Sequence, residues 1–330
     1  MKVHIGCRRL GIYSVGSKID LHRLADVSIY QYDIWRDVQQ LVTRLEPSVI
    51  QTWLPQMDVI GGIVAKRHSL PWVLTQRSAP QARFTGLTDI VRENIGKTAD
   101  AIISNSILGT EYWLRRAAVG VLVETVRNAI DLQGVQALAK AGSEIDQPHS
   151  FRVVVAGRLV PSKGHRLVVS ALIGTEMPVP VELVVVGEGP EAMHLRALCS
   201  RLPKTVNARF VGFDKEWWRW LGATDCLVSM SESEGSPNVV LEAMAAECPV
   251  LLSEISAHRE IADDGTALFS ERDARSVGRA LLTMLQDRNG AAARAKAAFR
   301  QVEKFSTPSV EQTYRDIYRK ILEARLFCAQ

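Results

Sequence analysis

Two acids, Glu234 and Glu242, stand eight positions apart in the stretch SESEGSPNVVLEAMAAE at 231–247, with Gly235, Ser236, Pro237 and Asn238 between them. Ser236 as N-cap, Pro237 at the first helical position and the apolar run that starts at Val239 predict a helix beginning here. A helix alone accounts for neither Glu234, which precedes it, nor Gly235, which marks a sharp turn or a close approach. The amides that open a helix and the positive end of its dipole suit an anion. Glu242, inside the helix, can then reach a ribose diol, while Glu234 is free to meet a different part of the same ligand.

Two other clusters fit such a ligand. In FRVVVAGRLVPSKGH, Gly157 and Arg158 end an apolar run and Lys163-Gly164 lead into a helical stretch; two cations beside a turn that opens a helix suit a phosphate or diphosphate. In ELVVVGEGP, Gly187 and Gly189 make a turn that lets a planar group lie against backbone.

The elements that must position these residues are short β-rich runs alternating with longer helical ones. Strands are expected at 3–7, 27–32, 48–52, 72–75, 101–104 and 121–126, then at 152–156, 182–186, 208–211, 226–229, 250–253 and 267–269. Runs such as VVVA are continuously apolar, the pattern of strands buried on both faces of a parallel sheet. An α/β chain with two open sheets follows, and in such sheets ligands gather at the carboxyl ends of strands. The polar stretch AGSEIDQPHS at 141–150 reads as the linker, dividing the chain into domains 1–145 and 146–309.

At 330 residues, 47% hydrophobic and 23% charged, the chain is long enough for two sizeable cores. No apolar run approaches the roughly 18 residues of a membrane span, and MKVHIGCRRLG lacks the apolar core of a signal peptide, so the cytoplasm is the expected compartment. Cys7, Cys199, Cys226, Cys248 and Cys328 form no CxxC pair and lie away from histidines, which argues for reduced thiols and against structural zinc. The first 145 residues carry 17 Lys and Arg against 13 Asp and Glu, including Arg8-Arg9, Lys66-Arg67 and Arg115-Arg116. That surplus reads first as solvated surface, and otherwise as an affinity for an anionic membrane or a phosphate-bearing substrate. Nothing interleaves basic and aromatic residues as a nucleic-acid module does.

The region 151–270 resembles the donor domain of retaining GT-B glycosyltransferases, specifically glycosyltransferase family 4. GRLVPSKG is similar to that family's G-R-L and K-G segment, GEGP to its G-x-G-P turn, and Glu234 to Glu242 to its E-x7-E motif. ADAIISNS and VRNAID resemble the approach to the donor domain, and FSTPSVEQTYRDIYRKIL the closing helix, here 310–330, that packs back on the first domain. The resemblance implies a GT-B architecture of two Rossmann-like domains flanking a cleft, the first facing the acceptor and the second the donor. It implies hexosyltransferase-type transfer from a nucleotide diphosphate sugar, UDP-sugar by default, to a saccharide or lipid-linked saccharide in polysaccharide biosynthesis, in the cytoplasm or peripherally at the inner membrane face. Arg158 and Lys163 would neutralise the diphosphate, Glu242 hold the ribose, and Glu234 accept bonds from sugar hydroxyls. Gly157, Gly187, Gly189 and the backbone of Gly235, Ser236, Pro237, Asn238 and Val239 would complete the donor cradle. No metal or cofactor is implied, in agreement with the lack of a DxD-like acidic pair in a plausible loop.

Three departures stand out. The opening KVHIGCRRLG looks like a second strand rather than a first, without a G-G-x-E loop, so a shortened first domain is expected. Gln76, Arg77 and Ser78 occupy a place where such enzymes often carry histidine. Glu247-Cys248-Pro249 replaces the usual glycine after the E-x7-E helix, so another turn geometry is expected there. Trp53, Gln56, Asp58 and Arg77 are the acceptor-side candidates. His165, one residue past the K-G turn, reads first as a helix-surface or packed histidine and otherwise as a ligand contact; the tryptophans of KEWWRWLGATD read as packing residues, and Asn128 and Asp131 as turn residues. For His258 and Glu260, loop support and ligand contact stay open. Rival readings are a sugar-nucleotide epimerase and a non-catalytic nucleotide-sugar binder.

Overall fold

The apolar runs form parallel sheets in two units, Met1–Val126 with Thr313–Gln330 and Arg127–Gln312, in a computed structural model of the chain. The structure describes residues 3–7, 19–24, 31–77, 86–145 and 150–328. In the first unit β1 (Val3–Cys7) and β2 (Ile19–Arg23) pair in a sheet of their own. A second sheet runs in chain order through β3 (Ile50–Trp53), β4 (Trp72–Gln76), β5 (Ala101–Ser104) and β6 (Leu122–Thr125). The helices of this unit are α1 (Tyr32–Leu45), α2 (Pro55–Arg67), α3 (Leu87–Gly96) and α4 (Ile107–Leu114). Residues 27–30 of the strand expected at 27–32 lie outside the described residues, and Tyr32 opens α1 instead; β2 was not expected at all.

The second unit starts with α5 (Leu132–Ile145), then β7 (Phe151–Ala156), α6 (His165–Gly174), β8 (Val181–Val186), α7 (Ala192–Cys199) and β9 (Val206–Gly212). It continues with β10 (Cys226–Ser229), α8 (Asn238–Ala245), β11 (Val250–Ser253), α9 (Ser256–Arg259), β12 (Leu268–Ser270), α10 (Ala274–Gln286) and α11 (Arg288–Val302). A last helix, α12 (Thr307–Cys328), begins in the second unit and ends in the first. The expected linker is thereby corrected. Residues 141–145 are the last turn of α5, where Gly142 lies so close to the Arg219 carbonyl that a Cβ would sit 1.8 Å from its oxygen; residues 146–149 lie outside the described ones.

Strand order in the second sheet is β12-β11-β10-β7-β8-β9, all parallel. Along β7 the side chains alternate between two cores. Phe151, Val153 and Val155 pack with Val168 and Leu172 of α6, Leu195 of α7 and Leu281 of α10, while Val154 packs on the other face with Val135 of α5 and Val240 and Leu241 of α8. The chain winds outward from β7 in one direction and from β10 in the other, so the order reverses between these two strands. That reversal opens a crevice at their carboxyl ends, where open α/β sheets hold ligands. Among the described residues no helix is long and apolar enough to cross a membrane.

Candidate functional site

The segments that end β7 and β10 converge at this crevice. After β7 come Gly157 and the exposed Arg158, then a short 3₁₀ turn, Pro161–Lys163, and Gly164 with a φ of 70°. A Cβ on Gly164 would lie 2.1 Å from the carbonyl oxygen of Met230, which follows β10, so a glycine is needed both for the left-handed backbone and for the approach. That approach brings the cation to the acid. Lys163 Nζ donates to Glu234 Oε1 at 2.5 Å, and Ser231 Oγ donates to the same oxygen at 2.7 Å.

Behind Glu234 runs a chain of buried polar groups. Ser253 Oγ donates to the Ser231 carbonyl at 2.8 Å, and His258 Nδ1 lies 3.0 Å from the Ser253 carbonyl and 3.1 Å from its hydroxyl. His258 Nε2 faces Ser229 Oγ at 3.4 Å. Since Ser253 spends its proton on Ser231, the Nδ1 tautomer of His258 is the one assigned by this network. The ring is wholly buried, and its pKa is pushed down to about 4, chiefly by desolvation, against the pull of the Ser253 backbone and Glu234. His258 is therefore neutral. It supports the Glu234 loop, and sequence reasoning had left that role open.

Two cavities flank the convergence and share Ala156 and Val239 as walls. The smaller, about 160 Å³, is lined by Lys163, His165, Ser231, Glu234, Ser236 and Asn238, among others. The larger, about 400 Å³, is bounded by Gly157, Arg158, Gly187, Glu188, Phe213 and Trp217. At Gly187, φ is 129° and a Cβ would fall 1.9 Å from the Gly157 carbonyl oxygen, so the turns after β7 and β8 nest backbone to backbone. Gly189 follows in the same turn against the Leu159 carbonyl.

The start of α8 differs from the sequence reading. Asn238 is the first helical residue and Pro237 occupies the cap with no side-chain bond; Ser236 does not cap, and its Oγ is buried without a partner. A proline ring preset near a helical φ starts the helix, which leaves the Ser236 hydroxyl turned to the smaller cavity. Asn238 Oδ1 accepts from Asn128 Nδ2 at 2.6 Å, and Gly235 lies in the loop just before. One turn into α8, burial raises the Glu242 carboxyl to a pKa of about 7, countered by the indoles of Trp218 and Trp217. The Trp218 Nε1 proton is buried without a formed hydrogen bond. Trp217 and Trp218 pack on the core as expected, but Trp217 also walls the larger cavity.

The acceptor-side candidates lie in the first unit. Trp53 ends β3 and is 41% exposed; Gln56 on α2 and Arg77 after β4 are exposed too. Asp58 is corrected, because it has no exposed surface: Arg92 Nε donates to its Oδ2 at 2.6 Å, and Arg92 Nη2 donates to Gln76 Oε1 at 2.8 Å. Burial raises its carboxyl pKa against the pull of Arg92, and its work is to hold Arg92 and Gln76. The sequence reading also passed over Phe213, Glu188 and Ser231, and it put ligand contact second for His165, which lines the smaller cavity. Phe213 could have been found, since it follows another strand of the same sheet.

With this geometry in place, comparison with known proteins is decisive for the fold. HepE from Anabaena, solved with UDP and glucose, superposes with a TM-score of 0.81 at 18% identity, covering 96% of this chain and 91% of its own. Sucrose-phosphate synthase from Thermosynechococcus elongatus gives 0.79 at 19% identity, covering 96% and 86%. The fold is GT-B. Within this GT-B chain, residues 150–287 match the family model of Glycosyl transferases group 1. Among relatives by sequence, the N-acetylgalactosamine-N,N'-diacetylbacillosaminyl-diphospho-undecaprenol 4-alpha-N-acetylgalactosaminyltransferase of Campylobacter jejuni is 30% identical over 210 residues, 60% of this chain and little more than half, 56%, of its own length. The lipopolysaccharide core biosynthesis glycosyltransferase LpsE of Rhizobium meliloti is 26% identical over 293 residues, 87% of this chain and 79% of its own.

Proposed function

We propose that this GT-B protein moves a sugar from a nucleotide diphosphate sugar, UDP-sugar by default, to an acceptor hydroxyl with retention of configuration, as a hexosyltransferase of family 4 acting in glycan or polysaccharide biosynthesis. The observation that carries the reading is the Lys163–Glu234 pair in the wall of the smaller of two adjoining cavities at the strand-order reversal. The larger cavity, with its glycine turns and Trp217, suits a nucleoside; the smaller, with hydroxyls, an acid and a cation, suits a phosphate and a sugar. The relatives, named for lipopolysaccharide core and diphospho-undecaprenol glycans, support a saccharide or lipid-linked saccharide acceptor, met on the first unit near Trp53, Gln56 and Arg77. Such an acceptor would bring the protein to the inner membrane face.

In this reading the bond between the anomeric carbon and the leaving diphosphate oxygen breaks as the acceptor oxygen bonds to that carbon on the same face, and the acceptor hydroxyl's proton passes to the departing diphosphate oxygen. Negative charge grows on the diphosphate. Lys163, Arg158 and the amides opening α8 meet it as fixed charges and dipoles already in place, and no metal is needed. Glu234 accepts bonds from sugar hydroxyls once the phosphate competes for Lys163, and Glu242 takes the ribose hydroxyls.

Calorimetric titration with UDP, GDP and ADP, followed by transfer assays with the matching nucleotide sugars and NMR of the product's anomeric configuration, tests the proposal. Binding of one nucleotide and an anomer of unchanged configuration are expected. If none of the three nucleotides binds, or if the product anomer is inverted, the reading is overturned.

A further inference from the structure

Two polar atoms lining the smaller cavity have no hydrogen-bond partner in the protein, His165 Nδ1 and Ser236 Oγ. Buried polar atoms are nearly always paired, so each such orphan calls for an explanation. His165 is the first residue of α6, two places after Lys163, and its surface is only 6% exposed. A histidine so placed would ordinarily be a packing residue with both nitrogens satisfied. Here the ring is part of the cavity wall and its Nδ1 is buried with no partner.

The chemistry of that free nitrogen follows from its surroundings. Burial, and then the charge of Lys163, press the imidazole pKa down to about 4, so the ring is neutral. In a neutral ring Nδ1 is a donor in one tautomer and an acceptor in the other. A diphosphate at neutral pH offers acceptors and no protons to give, so it can meet Nδ1 in one tautomer only. A sugar hydroxyl meets it in either, because it both donates and accepts.

We infer that His165 is a specificity-determining residue that hydrogen-bonds a hydroxyl of the sugar carried by the nucleotide, with the Ser236 hydroxyl serving a second sugar oxygen. The inference rests on the proposed nucleotide-sugar reading and deepens it: the sugar portion is read by an imidazole in the same cavity wall as Lys163 and Glu234. His165→Phe keeps a flat ring and removes both ring nitrogens. His165→Asn puts a side-chain amide, donor and acceptor together, near the place of Nδ1.

The test titrates the full-length parent and both variants with UDP alone and with UDP-glucose, UDP-galactose and UDP-N-acetylglucosamine, after thermal melting of each protein. Expected is unchanged UDP affinity in all three, a loss of about 10-fold or more in His165→Phe for the sugar nucleotide that the parent binds best, and recovery in His165→Asn. Should the phenyl ring not fold, His165→Ala is read in the same way. Equal weakening of UDP and UDP-sugar would make His165 a structural residue and overturn the inference. So would unchanged UDP-sugar affinity in His165→Phe, which would leave water as the partner of Nδ1. If UDP and all three sugar nucleotides fail to bind the parent, the UDP-sugar default falls and takes this inference with it. If UDP binds and only the sugar dependence is missing, this inference alone falls.

Discussion

Glu242 is a carboxyl that α8 and two indoles hold away from water, and its pKa of about 7 ties the protein's stability to pH. Its ordinary value is 4.5, so between 4.5 and 7 the folded chain binds a proton that the unfolded chain has released. The stability it contributes is complete below pH 4.5 and is lost as pH rises through 7. Glu242→Gln should therefore be more stable than the parent at pH 8, by on the order of 2–3 kcal/mol, and nearly equal to it at pH 4, as read from denaturant midpoints at the two pH values. A ribose diol reverses the balance by donating to the ionised form, so nucleotide binding at pH 6.5 should release a proton, detectable as a binding enthalpy that varies with the buffer. Glu242→Ala should lose about 1.5–3 kcal/mol of nucleotide affinity in calorimetry. In the proposed function Lys163 meets the departing charge instead: Lys163→Ala should lower turnover with saturating donor by on the order of 10² or more while weakening donor binding less. The meeting of Lys163 and Glu234 was legible in the sequence because each lies in a short segment leaving a strand, whereas Glu242 lies inside α8 and lines neither cavity. His258, Ser253 and Ser231 were not legible, because their hydrogen bonds join residues on neighbouring strands, and only the strand order brings them together.

At the scale of elements, the helix after Glu242 ends without the expected glycine. Glu247 takes the left-handed conformation, φ 50°, while its N–H bonds to Met244 O at 3.2 Å and that of Cys248 to Ala243 O at 2.9 Å. This is a Schellman end with a side chain in the glycine place, followed by Pro249, which cannot continue a helix. Relief of left-handed strain, about 1 kcal/mol or more, outweighs the extra entropy of an unfolded glycine, about 0.4–1 kcal/mol. Glu247→Gly should accordingly gain up to about 1 kcal/mol, seen as a higher melting temperature. The opposite holds at Gly164, where the missing Cβ lets α6 start against Met230. Gly164→Ala should cost at least about 2–3 kcal/mol in thermal or denaturant unfolding. Strands of the second sheet were readable to within two residues, since runs buried on both faces carry few polar interruptions. β2 escaped notice because IDLHR mixes polar and apolar residues too briefly to show a period, and the end of α5 because AGSEI has loop-like composition.

At the scale of the whole molecule, the chain passes between its two units twice, after Val126 and after Gln312. Both cores of the second unit are filled by residues between Ile130 and Val302, with Phe305 packed at the margin. A fragment of residues 127–312 should therefore fold alone and bind nucleotide within a few-fold of the full chain, which calorimetry on the two proteins would check. The first unit has no such contiguity. Its Gln51 accepts from the Tyr318 hydroxyl, Asp100 Oδ1 from Arg325 Nε at 2.9 Å and the Ser69 carbonyl from Arg325 Nη1 at 2.5 Å, all across α12. These partners are 267, 225 and 256 positions apart. A ribosome adding roughly 5–20 residues per second leaves Asp100 waiting on the order of 10–50 s for Arg325. Before that interval ends the second unit has all of its residues, and the unit whose translation starts first is the last to be completed.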